Sequence, residues 1–108
     1  MTVATVEANV ERGSIRLNLS GEIDLANAAA VEEEIFEAVS DEPTAVSVDL
    51  ADLTYMDSAG IRILFNLASR LQASGIVLQL IVPLDSRIRR LIELSGFESL
   101  ATLHPAST

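Results

Sequence analysis

Asp49-Leu50-Ala51-Asp52-Leu53-Thr54-Tyr55-Met56-Asp57-Ser58-Ala59-Gly60 is the stretch on which the fold turns. It closes a strand over 45–50, in which Val46, Val48 and Leu50 share one side. A short acidic turn follows, and then a serine at the opening of a helix. The first N–H groups of a helix lack internal partners and accept a capping side-chain oxygen. The same N–H groups, with the helix dipole, favour a phosphate. Ser58 therefore carries two compatible readings, a stabilising cap and a phosphate acceptor.

Downstream, the spacing predicts a helix over 58–74. Ile61, Leu64, Phe65, Ala68, Leu71 and Gln72 fall on one face. Ile63 and Leu67 lie roughly opposite, which predicts either packing against a neighbouring element or an apolar partner patch flanked by Arg62, Asn66 and Arg70. Gly75 ends this helix. The apolar run 76–82 predicts a strand near the centre of a covered sheet. A third helix is expected over 85–95, with Ile88, Leu91, Ile92 and Ser95 inward and Arg87, Arg89 and Arg90 outward. Phe97 is expected to fold back onto its last turn. A short strand over 100–103 precedes a tail from 105, next to the only histidine, His104.

Upstream, Ser14-Ile15-Arg16-Leu17-Asn18-Leu19-Ser20 alternates as a half-buried strand does. A weaker strand over 2–10 joins it through a turn at 11–14. Gly21-Glu22-Ile23-Asp24 is read as leaving the sheet. A helix over 25–40 follows, with Asp24 as its N-cap, Asn27 as a turn residue, and Ala28, Val31, Ile35 and Val39 on one face. Residues 41–44 form a turn. Strands alternating with helices predict an α/β domain with parallel neighbours and right-handed crossovers. The first two strands form an antiparallel pair.

Composition narrows the chemistry. The chain has 108 residues, 49 % of them hydrophobic, which suits one domain with one core. With no cysteine, disulfides and thiolate sites are excluded. All seven basic residues are arginine, so no lysine serves a Walker-type loop or a Schiff base. Sixteen acidic residues give a formal charge of −9, which repels nucleic acid and anionic membrane. The N-terminus lacks the pattern of a signal peptide, and no stretch approaches a membrane span. A soluble cytoplasmic protein is expected.

Three segments resemble the STAS domain family, and within it the bacterial anti-sigma factor antagonists. They are Gly21-Glu22-Ile23-Asp24-Leu25-Ala26-Asn27-Ala28, then Val48-Asp49-Leu50 through Asp57-Ser58-Ala59-Gly60-Ile61-Arg62-Ile63-Leu64, and Ile88-Arg89-Arg90-Leu91-Ile92-Glu93-Leu94-Ser95-Gly96-Phe97. With their spacing they cover nearly the whole chain, 1–108. The resemblance implies a single STAS-type α/β domain with a mixed, mostly parallel sheet of four to five strands and three or more helices. It implies an antagonist that binds an anti-sigma factor which is also a serine kinase, and so releases the sigma factor. Phosphorylation of Ser58 ends the binding and a serine phosphatase resets it. The implied partner surface comprises Glu22, Asp24, Asp57, Ser58, Ala59, Gly60, Arg62, Ile63, Asn66 and Leu67.

No catalytic residue, cofactor or metal is expected. Asp49, Asp52 and Asp57 suggest a phosphoaspartyl receiver only superficially, because its late lysine is missing. There is no Gly-x-Ser-x-Gly elbow. A STAS module of another signalling or lipid-transport assembly, or one that binds a small molecule or nucleotide, stays open as an alternative.

Overall fold

Period-two alternation builds the sheet. Ile15, Leu17 and Leu19 are buried, while Ser14 and Arg16 between them are exposed. The computed structural model describes residues 2–40 and 42–105. The strands are β1 (Ala4–Glu11), β2 (Ser14–Ile23), β3 (Ala45–Met56), β4 (Leu78–Ile81) and β5 (Ala101–His104). The helices are α1 (Ala28–Ala38), α2 (Ser58–Ala73) and α3 (Arg87–Leu94), and a 3₁₀ turn, Phe97–Ser99, precedes β5. The sheet order is β1-β2-β3-β4-β5, with β1 antiparallel to β2 and every later pair parallel. This is the expected mixed α/β architecture.

Because each crossover steps in the same direction, right-handed connections put the three helices on one face of the sheet. Burial agrees. Ile15, Val46, Leu78 and Ala101 are in register across four strands and all are buried. The next row on the other face, Arg16, Ser47, Gln79 and Thr102, is polar and contains no buried residue. Arg16 donates to Asp49 on that face at 2.6 Å. Asp49 is thus paired, and no group of three metal-ligating side chains forms among the described residues.

Several boundaries differ from the sequence reading, each for a tertiary reason. β3 runs on to Met56, so the expected acidic turn is strand, and Thr54 lies in it. β2 likewise continues to Ile23 instead of leaving the sheet at Gly21. The two extensions pair with each other, across register shifts between Asn18 and Ser20 and between Gly21 and Glu22. The irregularity masks the alternation that would have revealed a strand. α1 starts at Ala28 rather than at 25, because 24–27 are held as a turn. β4 is shorter than 76–82 and is covered on one face, with Gln79 exposed. His104, expected beside the tail, pairs with Ile81 in β5. Of the turn at 41–44 and the tail from 105, residues 41 and 106–108 lie outside the described residues.

α2 is buried on two sides. Ile61, Leu64, Ala68 and Leu71 are buried, as the period predicts. Ile63 and Leu67, one reading of which was a partner patch, are only 3 % and 0 % exposed. α1 packs beside α2 and brings Val31 and Ile35 into the same core. A helix that contacts both a sheet and a second helix needs apolar residues over more than one stripe. Phe97 is buried and meets Phe65 of α2 edge-on, with ring centroids 4.6 Å apart. Arg89 does not point freely outward. It donates to the Val82 carbonyl at 2.7 Å and pairs with Glu93.

Leu67→Ala should destabilise the protein by about 2–5 kcal/mol in urea denaturation, as deletion of a core leucine does. A change below about 0.5 kcal/mol, typical of a surface site, would show that Leu67 is a partner contact instead.

Candidate functional site

Two strand ends and one helix start converge around Ser58. Ile23 and Met56 are register partners at the last positions of β2 and β3. The Asp57 N–H then donates to the Ile23 carbonyl at 3.2 Å, tying the entry of α2 to the end of β2. Asp57, not Ser58, is the N-cap. Its carboxylate accepts from the Ala59 N–H at 2.8 Å, and its carbonyl accepts from the N–H groups of Gly60 and Ile61. Ser58 is the first residue of the helix proper and is exposed. The cap reading of Ser58 is therefore replaced. An acid one residue earlier satisfies the first turn, so the serine hydroxyl stands at the surface outside the cap.

Two glycines allow this convergence. Gly21 has φ +91°, and a Cβ there would collide with the Val3 carbonyl oxygen on β1's approach. A Cβ on Gly60 would collide with the side chain of Met56 beneath the first turn of α2. The first obstacle is backbone and the second a flexible thioether. Gly21→Ala should therefore lower the urea midpoint more than Gly60→Ala; equal losses would contradict the geometry.

The segment after β2 is a self-bonded turn. The Asp24 N–H donates to Asn27 Oδ1, the Ala26 N–H donates to Asp24 Oδ1, and Asn27 Nδ2 donates to the Glu22 carbonyl. Thr2 Oγ1 donates to Asp24 Oδ2 at 2.6 Å. Asp24 therefore organises the turn rather than capping α1, whose N-cap is Asn27 with no side-chain bond to the helix N–H groups. Thr54 Oγ1 donates to the Gly21 carbonyl, which gives that hydroxyl a structural role. Glu22 points into solvent at the end of the strand.

Between the starts of α1 and α2 lies an open groove of about 450 Å³. Ala28, Ala29, Ala59 and Ile63 give it an apolar lining, while Glu32, Asp57, Ser58 and Arg62 supply polar groups. Leu25, 84 % exposed, stands at its edge. Of the expected site residues, Asp57, Ser58, Ala59, Arg62 and Ile63 meet here, Ile63 as buried wall. Gly60 lies in the first turn of α2 and is buried against Met56. Asn66 donates to Glu32 at 2.8 Å and so clips α2 to α1. Leu67 is core and is not part of the surface. Leu25 and Glu32 were missed, because the sequence reading placed both on a continuous helix. A cavity of similar size, about 470 Å³, opens at the far end of α2, where Arg70 lies 5.1 Å over the Phe36 ring.

The comparisons with known proteins agree with this fold. The STAS domain profile matches residues 5–107. This chain belongs to the STAS domain family. It is 39 % identical over 108 residues to the anti-sigma-F factor antagonist RsfB of Mycobacterium tuberculosis, covering 96 % of this chain and 87 % of the relative. It is also similar to the crystal structure of an anti-sigma factor antagonist from Mycobacterium paratuberculosis, with TM-score 0.80, 30 % identity, and coverage of 96 % and 87 %. The unphosphorylated form of SpoIIAA, a Bacillus protein, shares the fold, with TM-score 0.77 at 21 % identity over 95 % of this chain and 89 % of that one. In this STAS domain the segment Asp57-Ser58-Ala59-Gly60 has a division of labour: the acid caps, the glycine packs, and the serine is exposed outside the cap.

The Thr2 hydroxyl, ahead of the backbone N–H groups of Ala26 and Asn27, holds the Asp24 carboxyl below its ordinary range, against an opposing desolvation. A depressed carboxylate stabilises the fold above about pH 4 and loses that contribution as pH falls through its lower folded value. Thr2→Val should raise the Asp24 pKa, read by side-chain carbonyl NMR, and weaken stability at neutral pH. Parent and variant should converge in strongly acid solution; a constant gap at every pH would remove Asp24 from the effect.

Proposed function

We propose that this chain is an anti-sigma factor antagonist switched by phosphorylation of Ser58. The observation that carries the proposal is the free, exposed Ser58 hydroxyl at the lip of the groove between α1 and α2. The 39 % identity to a mycobacterial anti-sigma-F factor antagonist supports the partner class. The unphosphorylated chain binds an anti-sigma factor through Leu25 and the groove, with Glu22, Asp24, Asp57 and Arg62 around them. That binding removes the anti-sigma factor from its sigma factor. The chain acts by binding in the cytoplasm and catalyses nothing itself. Among the described residues no helix is long and apolar enough to cross a membrane.

The partner's kinase activity then uses ATP. Ser58 Oγ attacks the γ-phosphorus, an Oγ–P bond forms, and the bond to the β,γ-bridging oxygen breaks. ADP departs and the hydroxyl proton is released to solvent or to a kinase base. Ser58 gains roughly 1.5 to 2 negative charges. A like charge about 4 Å away costs on the order of 4 kcal/mol at an effective dielectric near 20. About 1.4 kcal/mol is a tenfold change in affinity. Addition at an exposed N1 position leaves the core untouched, so the partner dissociates while the fold persists. A serine phosphatase hydrolyses the Oγ–P bond and restores the binding form.

With a cognate anti-sigma kinase and ATP, mass spectrometry should find one phosphate, on Ser58. In calorimetric titration without ATP, Ser58→Ala should bind like the parent and Ser58→Asp at least tenfold more weakly. Equal affinity for Ser58→Asp and parent would remove the charge mechanism.

A further inference from the structure

We infer that Arg62 is the internal hydrogen-bond donor to the phosphate carried by Ser58, a positioning residue that draws the dianion onto the flank of α2. The inference rests on the reading of Ser58 as a phosphorylated residue. Ser58 and Arg62 stand four residues apart on one helix, so they are neighbours one turn apart. Both line the groove, so they share the face that looks toward α1. Long side chains on a helix lean toward its N-terminus, which sends the Arg62 guanidinium toward the turn that holds Ser58. An acid placed four residues before a base is also the favourable order along a helix.

The charges around the groove leave one destination for a phosphate. Its lining contains two carboxylates, Asp57 at the cap and Glu32 across on α1, and one cation, Arg62. Neither ion pair among the described residues involves Arg62, and Glu32 is engaged by Asn66. Arg62 is exposed. A planar guanidinium can hold two phosphate oxygens at once, which a lysine ammonium cannot match. Phosphorylation therefore does two things at the partner surface. It adds negative charge, and it withdraws the groove's one cation from any partner carboxylate. An aspartate at position 58, with a shorter reach and a single charge, reproduces only part of this.

The test uses the full chain with phosphoserine installed at position 58 during translation, so that neither kinase nor partner is required. A phosphorus-31 NMR titration at low ionic strength reads the second ionisation of the phosphate, ordinarily near pH 6. In the parent it should fall roughly half a unit or more below its value in Arg62→Gln, because a nearby cation favours the dianion. Arg62→Lys should lie between them, and about 1 M salt should narrow the gap. Asp57, Glu32 and the helix dipole are common to the parent and both Arg62 variants, so they cancel in the comparison. Identical values for parent and Arg62→Gln would overturn the inference while leaving Ser58 as a phosphate acceptor. Absence of phosphate on Ser58 after kinase treatment would instead overturn the function proposed above.

Discussion

The hydrogen bond from the Asp57 N–H to the Ile23 carbonyl, with the Asp57 side chain capping α2, is the junction on which the site depends. It joins the end of β2 to the entry of α2 at the point where β3 stops. The candidate site hangs from this joint: the turn at 24–27, the opening of α1, and the first turn of α2. Gly21 and Gly60 are required because a Cβ would collide with the Val3 carbonyl oxygen at the first and with the buried Met56 side chain at the second. The cap is made by Asp57 and not by Ser58, so the proposed modification of that hydroxyl would leave the cap in place.

The second support is the two-sided burial of α2. Ile61, Leu64, Ala68 and Leu71 on one stripe and Ile63 and Leu67 on another are all buried, and α2 contacts β3, β4 and α1. Each fully buried leucine or isoleucine contributes roughly 1.5–3 kcal/mol relative to exposure. A helix anchored this way presents its first turn as a rigid surface. Rigidity lets a single added group change recognition sharply, since the surface cannot relax around the new charge.

Electrostatics give the surface its character. The chain carries −9, and the site follows the excess, with Glu22, Asp24, Glu32 and Asp57 against Arg62. At long range the net charge favours a partner of positive net charge and makes association sensitive to ionic strength, whereas at the groove itself the proposed phosphate acts on partner carboxylates that would face Arg62. The apolar content of the groove is modest, with alanines in its lining and Leu25 at the edge. That balance suits a reversible contact, whose strength the proposed phosphate would reset.

The sequence by itself determined the strand and helix order, the core faces of β2, β3 and α1, and the place of Ser58 at the opening of α2, because period, turn residues and one local signature are all short-range information. Phe97 could be seen to fold back, though not onto which ring. Only the tertiary structure decided where β2 and β3 end, since their last residues pair across an irregular register that hides the alternation. It alone decided that Ile63 and Leu67 are core, because the fate of a helix's second stripe depends on whether another helix lies beside it. It also decided that Asp57 caps, that Asp24 ties a turn, and that Leu25 and Glu32 border the groove. Each of these depends on distances between segments remote in the chain, and no local pattern encodes such distances.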